Sequence, residues 1–170
     1  AASPDWQAAA DWADTVLFIG DSGANSETAA LLETFLARNT DTSVVITRDA
    51  VYLIQHSAEI ILGRASTSLV VSFSQLQRLF RAVYYPRVLT FNQGIKQIAE
   101  TLHKFTITYP ATITLWHANN LFVAKDGQVI TQEFTTPLRV WNGEVATRAA
   151  VWQIWQTDPI KAIATSWTEL

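Results

Sequence analysis

The chain has 170 residues, 49% of them apolar and only 16% charged, with seven tryptophans and a formal net charge of −3. That is enough chain for one domain with a substantial core, and the composition is opposed to disorder. The acidic balance and the scattered Lys and Arg exclude a nucleic-acid or anionic-membrane surface, and the lack of Cys excludes disulfides, thiolate zinc sites and a cysteine nucleophile.

No apolar run approaches the roughly 20 residues that span a bilayer. The opening AASPDWQAAADWADT has neither a basic start nor a continuous apolar centre, so it is not a signal peptide. A cytoplasmic protein is therefore expected. The tryptophan excess predicts a self-association surface, hence a homo-oligomer.

In chain order, TVLFIG (15–20) reads as a buried strand ending in Gly. SETAALLETFLAR (26–38) is a helix with Ser26 as N-cap and Leu31, Leu32, Phe35 and Leu36 on one face. SVVIT (43–47) is a second strand, and 49–62 a helix packed across it. TSLVVSF (67–73) is a third strand, running into a helix over 74–84 with Leu76, Leu79 and Phe80 inward. A helix over 92–105 places Ile95, Ile98, Ala99 and Leu102 together. ATITLW (111–116) is a strand, and 121–134 a hairpin turning at Asp126-Gly127. A helix then follows Asn142-Gly143, and a last one, over 158–170, has Asp158 as N-cap and Pro159 at N1.

Apolar strands alternating with helices indicate a three-layer α/β domain, a mainly parallel sheet covered on both faces. Ligands of such sheets bind beyond the carboxyl ends of the strands. The segments to inspect are therefore Gly20 to Asn25, Thr47 to Asp49, Ser72 to Gln75, His117 to Asn120 and Asn142 to Glu144.

Residue chemistry leaves several of these open. Asn142-Gly143-Glu144 reads either as an anion site with a catalytic carboxylate or as a plain helix start. In the plain reading Asn142 is the N-cap, Gly143 is N1, and Glu144 complements the helix dipole for about 0.3–1 kcal/mol. Gly20, Ser22 and Gly23 form either a tight strand-to-helix turn or a ligand contact. His117 either touches phosphate or is a satisfied histidine. His56 and His103 lack carboxylates at ligand spacing, so no metal site is expected. Trp152 and Trp155, three apart on one helix, read as core or subunit interface.

Taken together, these blocks resemble the ADP/ATP-dependent NAD(P)H-hydrate dehydratases of the ribokinase-like superfamily. DTVLFIGDSGANSETAALLETFLAR is similar to that family's strand, Gly-rich turn and helix. SVVITRDAVYLI sits where it has a strand and Asp-Ala-Asp-Ala-Leu, and LVVSFSQLQRL where it has Thr-Pro-His-Pro-Gly-Glu. ATITLWHANNLFVAKDGQVI is similar to its strand, Lys-Gly turn and hairpin. RVWNGEVATRAAVWQIWQTDPIKAIATSW is similar to its Gly-Thr-Gly-Asp turn and closing helices. The likeness runs from Trp12 to Trp167 and begins inside the family's domain, so residues 1–170 are expected to be a single ribokinase-like unit equivalent to its C-terminal part.

The resemblance implies a lyase that uses ATP or ADP with magnesium to dehydrate hydrated NADH or NADPH. It casts Glu144 as the catalytic base, and Asn142, Gly143, His117 and Asn119 as nucleotide- and phosphate-binding residues. Gly20, Ser22, Gly23, Asp49 and Ser72 would contact the substrate. The partner implied is a nucleotide or dinucleotide, with no nucleic acid and no membrane. Several signature residues differ: Trp141 stands for a glycine, Ser72 for the histidine, Gln75 for the acid, Trp116-His117 for Lys-Gly, and Thr47 for the first Asp. The alternative is a catalytically degenerate ribokinase-like domain acting as a binding or assembly module.

Overall fold

The computed structural model describes residues 2–20 and 25–168. Six strands form one sheet: β1 (Thr15–Phe18), β2 (Ser43–Thr47), β3 (Thr67–Ser72), β4 (Thr112–His117), β5 (Asn120–Lys125) and β6 (Gln128–Glu133). Their spatial order is the chain order, β1-β2-β3-β4-β5-β6. The first four run parallel, with Val45 opposite Ser68 and Val70 opposite Thr114; β4, β5 and β6 form an antiparallel meander.

Helix α1 (Ala2–Ala10) precedes β1, and α2 (Ser26–Arg38) joins β1 to β2. Short α3 (Ala50–Leu53) and α4 (Ala58–Leu62) lie between β2 and β3; α5 (Phe73–Ala82) and α6 (Ile95–Thr108) lie between β3 and β4. After β6 come α7 (Glu144–Trp155) and α8 (Pro159–Thr165). Crossovers between adjacent parallel strands are right-handed, so a sheet laid down in chain order puts every crossover helix on one face.

The side chains of the central strands divide accordingly. Val44, Ile46, Leu69, Val71, Ile113 and Leu115 pack with α1 through α6. Their neighbours Val45 and Val70, with Leu121 and Val123, pack with Val145, Ala149, Ile160, Ile163 and Trp167 of the closing segment. Successive residues point to opposite faces, which is why β2 and β3 read as apolar runs, whereas β4 alternates Ile113 and Leu115 with buried Thr112 and Thr114. Each buried Val, Leu or Ile stabilises the fold by about 1.5–3 kcal/mol against its exposed state.

Local chemistry sets the element ends. The α2 cap is Asn25 rather than Ser26: its side chain accepts from the Thr28 N–H at 2.7 Å. Asp158 caps α8, with Pro159 at N1, as the sequence indicates. The Asp126-Gly127 turn has φ of 49° and 76°, the left-handed pair of a tight hairpin. The helix expected over 49–62 is interrupted by a 3₁₀ turn, Gln55–Ser57, where the Ser57 hydroxyl bonds Glu33 of α2. Helix α1 has no counterpart in the sequence reading; Trp6 holds it down, against Phe18 at 5.5 Å and Phe35 at 6.3 Å. Among the described residues, no helix is long and apolar enough to cross a membrane.

Candidate functional site

The carboxyl ends of β2 and β3 converge with the segment leading into α7 around a hollow of about 360 Å³. Its lining includes Arg48, Asp49, Tyr52, Ser72, Gln75 and Trp141. Thr47 ends β2 and donates its hydroxyl to the Val70 carbonyl at 2.9 Å, tying the two strand ends together. Arg48 follows in the left-handed region, with φ of 51°. Its carbonyl accepts from Gln75 Nε2 at 2.8 Å, so the turn after β2 is clamped to α5.

Ser72 caps α5. Its hydroxyl accepts from the Gln75 N–H at 3.3 Å, and Gln75 Oε1 accepts from the Ser72 N–H at 2.9 Å. This reciprocal box satisfies two of the four unpaired donors of a helix start. Gly20, just after β1, packs against Asp49 and Ala50 beside the hollow. Its φ is +115°, and a Cβ there would lie 2.6 Å from the Asp49 Cβ and 3.0 Å from the Ala50 nitrogen. Only glycine lets the chain leave β1 that close to Asp49.

The segment into α7 differs from the capped start read in the sequence. A 3₁₀ turn, Val140–Asn142, ends at Gly143, which is itself the N-cap at φ of 85°. The Asn142 N–H donates to the Arg139 carbonyl at 3.2 Å, and that of Gly143 to the Val140 carbonyl at 3.2 Å. The Glu144 N–H donates to Asn142 Oδ1 at 3.0 Å. All three amides of the turn thus have acceptors within their own segment. The Glu144 carboxylate is half-exposed and lies 3.5 Å from Arg148 Nε, one turn along the helix. Arg148 is anchored in turn, donating to the Ser166 carbonyl at 2.9 Å and lying 4.5 Å from the centre of the Trp167 ring.

The sites expected from sequence therefore separate into groups. Asp49 and Ser72 share the hollow, with Gly20 directly behind Asp49. Asn142, Gly143 and Glu144 follow Trp141, which is 73% exposed on its rim. His117 and Asn119 belong to the neighbouring strand end. The His117 ring packs on Phe73 at 4.4 Å and near Phe91 at 6.0 Å. Asn119, at φ of 61°, is the second residue of the tight turn between β4 and β5, and its carbonyl accepts from the Phe134 N–H at 2.9 Å. Ser22 and Gly23 lie outside the described residues.

Tyr52 and the clamping part played by Gln75 are new in the structure. Tyr52 sits one turn beyond Asp49, a spacing that marks it in retrospect, and the Arg78 guanidinium lies 5.0 Å from its ring centre. Among the described residues, no group of three or more His, Asp or Glu side chains is placed to hold a metal ion.

Neither a protein-family model nor a curated protein matches the sequence. The fold is ribokinase-like. It is similar to the crystal structure of a ribokinase-like superfamily protein from Enterococcus faecalis V583, with a TM-score of 0.75 at 15% identity. The likeness covers 96% of this chain and 55% of that one, so the present chain spans about half the length of the protein it matches.

Proposed function

We propose that this chain is a catalytically degenerate ribokinase-like domain that binds a small polar molecule in the strand-end hollow and does not use a nucleotide for chemistry. One observation carries the reading: the amides of Asn142, Gly143 and Glu144 already donate to Arg139, Val140 and the Asn142 side chain. A helix start holds phosphate through N–H groups that lack internal partners. Trp141, where relatives of this fold are expected to have glycine, adds an indole on the approach. The residues present do not fit a magnesium nucleotide.

A second reading, the NAD(P)H-hydrate dehydratase, is favoured by Glu144, a half-exposed carboxylate on the segment where that family carries its catalytic acid. The two readings separate in one set of measurements. The melting temperature is followed with ATP or ADP plus magnesium, and turnover of hydrated NADH is assayed in parallel. A ligand at 100 times its Kd adds about 2.7 kcal/mol to stability. The degenerate domain gives no nucleotide shift and no turnover. A nucleotide shift accompanied by turnover that Glu144→Gln abolishes would establish the dehydratase instead.

A further inference from the structure

Charge is unevenly placed along the chain. Residues 60–99 contain five basic side chains and no acidic one, whereas the remainder holds seven basic and fifteen acidic. Of the five, Arg64 is buried and bonded to the carbonyls of Thr40 and Thr42, so its charge serves the loop before β2. Arg78, Arg81, Arg87 and Lys96 are all exposed.

Arg81 and Arg87 flank a groove of about 480 Å³ at the end of α5, floored by Phe80 and Leu89. Tyr84 forms its rim, 93% exposed. Its φ is 51°, a conformation rarely adopted by a bulky residue and costing of order 1–3 kcal/mol. The helix end enforces it: Tyr84 N–H donates to the Arg81 carbonyl and Tyr85 N–H to that of Phe80, which turns the Tyr84 ring outward. Val88 also lines the groove and is exposed, and Phe91 and Ile95, further along the chain, are exposed as well. Arg87 has Glu100 at 3.8 Å, a loose and solvent-exposed pair.

A complementary surface lies on the same chain. Trp12 is 81% exposed and flanked by Asp11 and Asp14. Gln7 donates to Asp11 at 2.8 Å, which still leaves that carboxylate at the surface. Trp6 fixes α1 against β1 at one edge of the sheet, whereas the groove lies at the end of α5, which packs on β3 and β4.

We propose that a second copy of this chain docks here, with Trp12 on Phe80 and Leu89, and Asp11 and Asp14 beside Arg81 and Arg87. Each copy carries one Trp12 and one such groove, so a two-fold exchange fills both and closes the assembly at a dimer. Tryptophan anchors in apolar pockets ringed by charge are the usual energetic centre of such contacts. The interface lies on the helical layer and does not depend on whether α7 meets a nucleotide.

Sedimentation equilibrium of the whole chain tests this, with circular dichroism confirming that each variant is folded. The expected mass is twice 18.9 kDa. Trp12→Ala weakens the dimer roughly 30-fold or more, and added salt weakens it further. Reversing Arg81 and Arg87 to Glu dissociates it, as does reversing Asp11 and Asp14 to Lys, and both reversals in one chain restore it. Tyr84→Ser gives an independent check, because it trims the rim at a strained, exposed position and should also weaken the dimer. A monomer at every soluble concentration overturns the proposal. So does a dimer that ignores Trp12→Ala, or two reversals that fail to rescue each other.

Discussion

Replacing Gly20 by alanine tests whether the strand-end hollow is built on backbone contact. An L-residue in the left-handed half of the map costs about 1–2 kcal/mol. The new methyl would lie 2.6 Å from the Asp49 Cβ and 3.0 Å from two backbone nitrogens, none of which is the end of a flexible side chain. Overpacking of that kind adds roughly 1–3 kcal/mol. The sum, roughly 2–5 kcal/mol, is a large share of the 5–15 kcal/mol typical of a domain. At roughly 2–4 °C per kcal/mol for a chain of this length, Gly20→Ala should lower the melting temperature by about 10 °C. Gly94 is the control, with φ of −71° and open space where a Cβ would go. Gln97 already accepts from the Gly94 N–H, so Gly94→Ser supplies the missing half of a capping box and should stabilise by a few tenths of a kcal/mol. A Gly20→Ala protein melting within a degree or two of the parent would refute the packing described around Asp49.

Two further outcomes rest on other parts of the molecule. Arg64→Leu removes the guanidinium that the Asn39 and Thr42 carbonyls share and should cost about 1–3 kcal/mol in urea unfolding, although burial lowers the pKa of that guanidinium. Burial raises the Tyr85 hydroxyl above the usual tyrosine range, outweighing the opposing pull of Arg87. A raised folded-state pKa gives stability that is complete below the ordinary value near 10 and is lost as pH climbs through the folded value. Alkaline unfolding should therefore be milder in Tyr85→Phe than in the parent, as followed by melting temperature above pH ~10.

The core of the sheet was plain in the sequence because β2 and β3 are buried on both faces and spell apolar runs, Val44 to Ile46 and Leu69 to Val71. The Asp126-Gly127 turn and the Asp158-Pro159 start were equally legible, since each rests on the dihedral or hydrogen-bonding habits of the residues themselves. Helix α1 was not, because its alanines carry no apolar period and its place is set by Trp6 on two distant phenylalanines. The break between α3 and α4 falls where Ser57 meets Glu33, a partner 24 residues away in the chain. At the candidate site, sequence order brought Asp49, Ser72 and the Trp141 segment to one end of the sheet. It could not tell which acceptors take the turn's amides, because that follows from the left-handed bend at Gly143 and the reach of one asparagine side chain.

The chain-order sheet also has a consequence for how this protein is made. Each parallel strand emerges with its partner already in place, so the first four can be added one after another with short-range crossovers and little search. The second face has no such provision. Val45, Val70, Leu121 and Val123 are packed by α7, α8 and Trp167, which follow the sheet in the chain. Until those helices arrive, a growing chain holds a finished sheet with one greasy side turned to water.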